Sequence, residues 1–168
     1  MRTSVFSHEA RQERFVASKK QGHMSEVKII QGEIFRDHRG QISSLNEFEF
    51  EGVKRCYIIH HPDASVVRGW NGHQFERKWF YCVKGEATIA LVKVDNWEKP
   101  SPSLKAEIYT LSENDSKLLC VPAGYANCLK AHAGGTIVQV LSDKTLNEAL
   151  EDNWKYDKDM WVDWEQYK

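Results

Sequence analysis

From Val27 onward the chain is a succession of short runs rich in β-branched and aromatic residues, each closed by a turn signal, with no long helical periodicity between them. VKIIQGEIF leads into DHRG, QISSLNEFEF into EG, and VKRCYIIHH into HPDAS. VVRGW follows, then KWFYCVKGEATIALVKV, whose central K-G reads as a tight turn between two strands. ENDS separates AEIYTLS from KLLCVPAG, and GGTIVQVLS closes the series. Only Thr145 to Trp154 has a helical flavour, and it is short. This pattern predicts an all-β antiparallel sandwich or barrel of the jelly-roll type, with a short C-terminal helical segment. A barrel of this size keeps its ligand site in its mouth, where inward-facing polar residues need explaining.

At 168 residues the chain is long enough for one sizeable core and too short for two. Residues 24–168 are expected to form the domain. Residues 1–23 are polar and charged, and are read either as a short N-terminal arm or as a leader carried over from expression. With 23 basic and 24 acidic residues there is no whole-chain field to gather nucleic acid or an anionic membrane, so an anionic ligand must be bound locally. Cys56, Cys82, Cys120 and Cys128 are widely spread, mostly in apolar runs and without C-x-x-C spacing, as expected of free thiols in a reducing cytoplasm. No apolar run approaches a membrane span and no continuous hydrophobic leader is seen, so a soluble intracellular protein is expected.

The segment from Val67 to Glu86, VRGWNGHQFERKWFYCVKGE, carries the functional argument. On a regular strand Trp70, Gly72 and Gln74 share one face and Asn71, His73 and Phe75 the other, with Arg68 on the first face. The spacing resembles the cupin superfamily, whose metal positions fall here on Asn71, His73, Lys78 and, in PAGYAN, Asn127. An ammonium has no lone pair for a metal and amides are poor ligands for transition ions, so no metal is expected. The closer resemblance is to the cupins acting on nucleotide-linked 4-keto-6-deoxy sugars, the 3,5-epimerases and 3,4-ketoisomerases. RGWNGHQ aligns with R-G-L-H-x-Q of the former and R-G-x-H-A-H-K of the latter, and Lys78 matches an epimerase lysine. DHRGQI, VPAGYAN and YDKDMWVDW resemble three further epimerase motifs in the same order. The departures are Asn71 at the base histidine, Asn127 at a second histidine, and the lack of tyrosine in TIVQVLS, where the acid tyrosine falls near Val140.

The resemblance implies an isomerase or epimerase of deoxysugar biosynthesis that acts on a nucleotide-linked, dTDP-type 4-keto-6-deoxy sugar by proton transfer beside the ketone, without metal or organic cofactor. Imidazole, with an ordinary pKa near ~6.5, suits the base, and a cationic lysine suits the enolate. His73 is therefore the candidate base and Lys78 the candidate enolate partner, provided a bulge at QFER corrects the odd offset between them. The family likeness makes Asp157 a candidate to orient an imidazole, and Tyr57 either a general acid or a core residue. Arg68 and Arg39 are candidates for diphosphate; Asn71, Trp70, Gln74 and Asn127 are expected to line the sugar pocket. His60 and His61, beside Pro62, read as loop residues. A homodimer is expected. The rival reading is a sugar-nucleotide binder in which Asn71 and Asn127 mark lost catalysis; a metal-dependent cupin oxygenase would need ligands this chain lacks.

Overall fold

A computed structural model describes residues 24–167, so the alternatives for residues 1–23 lie outside the described chain. In chain order it contains β1 (Lys28–Gln31), β2 (Glu33–Asp37), β3 (Gly40–Ser44), β4 (Arg55–His60), β5 (Val67–His73), β6 (Lys78–Lys84) and β7 (Glu86–Lys93). There follow β8 (Glu107–Ser112), β9 (Lys117–Val121), β10 (Tyr125–Ala131), β11 (Ile137–Ser142), the helix α1 (Leu146–Glu151) and β12 (Trp154–Lys155). Two five-stranded antiparallel sheets, ordered β1-β9-β6-β11-β4 and β12-β5-β10-β7-β8, face each other, and β2 and β3 form a separate hairpin. This is the expected jelly roll with its one short helix.

Alternation along the strands builds three apolar layers. Between the sheets lie Phe80, Leu119, Val138 and Val140 from the first and Ile89, Leu91, Leu111 and Leu129 from the second. The outer face of the first sheet, with Trp79, Leu118 and Leu141, is covered by Phe48 and Met24. The outer face of the second carries Trp70, Ala126 and Cys128 and is covered by Trp161, Val162 and Trp164 of the closing segment. The polar mouth of the barrel is thus the part of the interior that this core leaves unfilled.

Three details differ from the pattern read in sequence. VKIIQGEIF is two strands, because the chain breaks at Gly32, whose N–H bonds the Ser116 carbonyl at 2.6 Å. QISSLNEFEF is a strand only to Ser44; beyond it Phe48 folds in against Trp79 with ring centroids 6.1 Å apart. YANCLKA, which carries no β-branched residue, is the fully buried β10, paired on both edges with β5 and β7. A strand buried on both faces shows no polar alternation to read.

Candidate active site

The site begins with an irregularity in β5. Asn127 of β10 stands opposite Asn71 and Leu129 opposite Arg68, so one residue on β10 faces two, Gly69 and Trp70, on β5. This bulge reverses the parity and puts Arg68 on the cavity face with Asn71 and His73, the side opposite to that of a regular strand. Trp70, next to Asn71 in the ordinary alternation, faces outward. It is fully buried on the far side of the sheet, packed edge-on against Trp161 at 5.1 Å with its indole N–H donating to the Lys158 carbonyl.

After His73 the chain leaves one sheet and enters the other, so Lys78 opens β6 across the barrel from β5. The odd offset between His73 and Lys78 is resolved by this change of sheet and not by a bulge at QFER. Two aspartates flanking α1 hold the crossing: Asp152 accepts from the N–H groups of Gln74 (2.9 Å) and Phe75 (2.8 Å), and Asp143 from that of Arg77 (2.8 Å). The helix between them starts with a capping box, in which Thr145 and Glu148 satisfy each other's backbone N–H groups. It also places Leu146 and Leu150 on the cavity rim.

The cavity has a volume of about 360 Å³ and is lined by Arg55, Tyr57, Arg68, Asn71, His73, Lys78 and Asn127 among others. At its wall Lys78 Nζ lies 2.8 Å from His73 Nε2. His73 Nδ1 lies 2.9 Å from Glu76 Oε2, a close approach that lacks the alignment of a full hydrogen bond. Glu76, its side chain wholly buried, also accepts from Arg55 Nη2 (2.9 Å) and Ser142 Oγ (2.6 Å), with Lys78 Nζ at 3.6 Å from Oε2. With Lys78 as an ammonium, His73 Nε2 is the acceptor and the ring hydrogen sits on Nδ1, facing Glu76.

Burial alone would raise the Glu76 carboxyl, but the contact with His73, the charge of Lys78 and the Ser142 hydroxyl bring it down to about 2. Burial lowers Lys78, and Glu76 opposes that shift. Burial first and the Glu76 charge second push the Tyr57 hydroxyl up to about 12, against the pull of Arg55 and Arg68. Tyr57 therefore faces the cavity as a proton donor, not as a phenolate. Because the folded Glu76 is depressed below its ordinary 4.5, its stabilisation is complete above that value and is lost as pH falls toward about 2. Urea midpoints measured from pH 6 to pH 2.5 should fall across this window, and less steeply in Glu76→Gln, which has no carboxyl to protonate.

The structure brings His73, Lys78, Tyr57, Arg68, Asn71 and Asn127 together and leaves four of the expected residues elsewhere. Gln74 lines a separate depression with Phe75 and Trp154, since the chain has already turned away from the barrel interior. Arg39 sits at the tip of the β2-β3 hairpin, 72% exposed and paired with Asp37 at 2.6 Å. Asp157 accepts from the backbone N–H of Asp159 in the closing turn and does not line the cavity. Trp70 belongs to the outer layer, as above. His60 ends β4 at the cavity, while His61 is 1% exposed and has neither ring nitrogen hydrogen-bonded among the described residues. Two site residues went unread. Arg55 was detectable, because period two on β4 puts it on the face of Tyr57 and Ile59; Glu76 was not, because it lies in a turn.

A cupin-type metal does not fit these residues. The Lys78 ammonium stands at the nitrogen of His73 that a metal would need, and Asn127 Nδ2 donates to the Asn71 carbonyl oxygen at 3.0 Å. Among the described residues no group of three or more His, Cys, Asp or Glu is placed to hold an ion.

The sequence profile of the family described as dTDP-4-dehydrorhamnose 3,5-epimerase matches residues 21–168. The chain belongs to this family. Solved structures of similar fold include a dTDP-4-dehydrorhamnose 3,5-epimerase from Bacillus anthracis with TDP and pyrophosphate bound. It is 17% identical, covers 83% of this chain and 85% of its own, and has a TM-score of 0.67. The 3,4-ketoisomerase QdtA from Thermoanaerobacterium thermosaccharolyticum, in complex with TDP-4-keto-6-deoxyglucose, is 21% identical over 77% of this chain and 87% of its own, with a TM-score of 0.61. ChmJ, a 3'-monoepimerase from Streptomyces bikiniensis in complex with dTDP-quinovose, is 17% identical over 78% and 69%, with a TM-score of 0.63. A search of curated protein sequences finds no significant match. The family's fold is thus shared, and the Asn71 and Asn127 departures sit inside a cavity that keeps an imidazole, an ammonium and two guanidinium groups.

Proposed function

We propose that the protein is an isomerase or epimerase that moves a proton beside the ketone of a nucleotide-linked, dTDP-type 4-keto-6-deoxy sugar in deoxysugar biosynthesis. The observation that carries this reading is the 2.8 Å contact between His73 and Lys78 at the cavity wall. Removing a proton from carbon beside a carbonyl needs a base and a partner for the enolate charge, and these two residues are that pair. In the free protein the lysine caps the imidazole lone pair. A bound keto oxygen competes for the ammonium, and once Lys78 turns to it, His73 Nε2 is free to accept the proton. The developing enolate then faces Lys78, with the Tyr57 hydroxyl on the same cavity available to donate.

Membership of the family supports the substrate class, and the cluster of His73, Lys78 and Glu76 argues against a binder stripped of catalytic groups. Incubation with dTDP-4-keto-6-deoxyglucose in D₂O and mass analysis of the recovered sugar test the activity. Deuterium at the carbon beside the ketone is expected, and no incorporation from any nucleotide-linked keto sugar would sink the reading.

Arg68 is proposed to hold the diphosphate, because the bulge puts its guanidinium on the cavity face and a fork of N–H donors suits phosphate oxygens. Arg68→Ala should weaken nucleotide-sugar binding by about 1.5–3 kcal/mol, roughly 10- to 100-fold in Kd, by calorimetric titration. An unchanged Kd in a folded variant would make Arg68 structural. A cytoplasmic homodimer is part of the same proposal; light scattering at a single-chain mass would remove the dimer. Among the described residues no helix is long and apolar enough to cross a membrane.

A further inference from the structure

We propose that Glu76 is the positioning residue of the proton transfer: it holds the His73 ring with its hydrogen on Nδ1, so that Nε2 is the accepting atom, and its charge keeps the Lys78 ammonium beside that atom until substrate draws it away. This deepens the proposed function and rests on it for the reaction, while the ring orientation is a property of the free protein.

Four observations support it. Oε2 of Glu76 lies between the two working groups, 2.9 Å from His73 Nδ1 and 3.6 Å from Lys78 Nζ. Oε1 is tied by Arg55 and Ser142, so the carboxylate has a single orientation. The segment that carries Glu76 is pinned through its backbone by Asp152 and Asp143, so the carboxylate does not depend on its own side-chain contacts for placement. Finally, the carboxylate that the family likeness offers for this task, Asp157, is engaged in the closing turn outside the cavity. Glu76 thus reaches the imidazole from the turn that follows it.

The consequence is a defined order of proton positions. At rest the hydrogens are on Lys78 Nζ and His73 Nδ1. As the carbon proton arrives on Nε2, the ring becomes an imidazolium facing a carboxylate at Nδ1, and the negative charge moves from carbon to the keto oxygen held by Lys78. Reprotonation from Nε2 on the face that lost the proton returns the ring to its starting state; inversion takes the new proton from the Tyr57 hydroxyl, after which the imidazolium gives up its proton to solvent as the phenolate regains one, and no oxidant or co-reactant is consumed. The other charged and titratable groups around the pair are Arg55, Tyr57 and His60 from β4, Arg68 from β5, and Asp152 at the end of α1, whose charge also reaches Lys78.

Free imidazole favours the hydrogen on Nε2, so a ring held with its hydrogen on Nδ1 reports its neighbours, and Lys78→Met separates the hold of Glu76 from that of the lysine. The full chain labelled with ¹⁵N-histidine, with His73 assigned by its loss in His73→Gln, should show the neutral ring protonated on Nδ1 in long-range ¹H–¹⁵N spectra. Glu76→Gln, which keeps the shape but not the charge, should lower the exchange rate about 100-fold with KM changed less than about threefold. It should also move the acidic limb of the pH profile to lower pH, because the imidazolium has lost its counter-charge. Glu76→Asp should recover part of the rate. A wild-type ring protonated on Nε2 overturns the proposal, and so does a folded Glu76→Gln with unchanged rate and pH profile. If Glu76→Gln does not fold, the His73 tautomer in Lys78→Met decides, because only Glu76 is then left to hold the ring: hydrogen on Nδ1 keeps the proposal and hydrogen on Nε2 overturns it. Wild type that turns over no keto sugar removes the proposed function, while the Lys78→Met spectrum still decides the role of Glu76 in orienting His73.

Discussion

His73→Asn is expected to abolish deuterium exchange at carbon 3 of a dTDP-4-keto-6-deoxy sugar, a loss of about 10²- to 10⁴-fold, while ground-state binding of the nucleotide is retained. Asn71 and Asn127 stand where relatives' motifs place histidines, and neither amide can accept a proton near neutral pH. His73 is the one imidazole of these motifs at the cavity wall, and its Nε2 is held next to the group that would stabilise the enolate. Lys78 serves less well as base, since its own proton must first leave beside the Glu76 carboxylate. Lys78→Met should therefore slow exchange and leave KM less affected, as for a contact made chiefly in the transition state. Exchange measured by mass spectrometry separates the roles: activity surviving in His73→Asn would move the base to Lys78 or Tyr57.

Gly69→Ala is expected to destabilise the fold by about 3 kcal/mol and to remove the phosphate arm of the site with it. Gly69 has φ +137, and a Cβ there would lie 2.6 Å from the Asn127 carbonyl oxygen and 2.8 Å from Cys128 Cα. Both neighbours are backbone of β10, a strand buried along its whole length, so neither can give way cheaply. The bulge at Gly69 and Trp70 is also what turns Arg68 toward the cavity. Forcing β5 back into regular alternation would send that guanidinium to the outer face, where Trp161 and Trp164 pack. Urea denaturation should show the lower midpoint, and titration with dTDP a loss of affinity like that of Arg68→Ala. A variant with native stability and affinity would show that β5 accommodates a side chain at the bulge.

The β-rich runs and their turn signals were enough to define an all-β barrel, because alternation of period two is a local property of the chain. The order of the R-G, P-x-G and closing motifs was likewise local, and it was enough to point to the family. Tyr57 was singled out by the family likeness; period two applied to its strand would have put it on one face with Arg55. The turn from Gln74 to Arg77 is where local reading ended. Its spacing gave no hint that His73 and Lys78 belong to opposite sheets, that Glu76 lies wholly buried between them, or that Asp143 and Asp152, some seventy residues on, hold the crossing in place. Trp70 and Asp157 were misjudged for a related reason. With Asn71 and His73 facing the cavity, alternation leaves Trp70 on the outer face, and the closing segment wraps that face of the sheet, away from its mouth. Residue types and spacing determined the fold class and the chemistry available; which groups share the cavity, and which carboxylate faces the imidazole, was decided only when two sheets closed around a buried charge that must be paired to be tolerated.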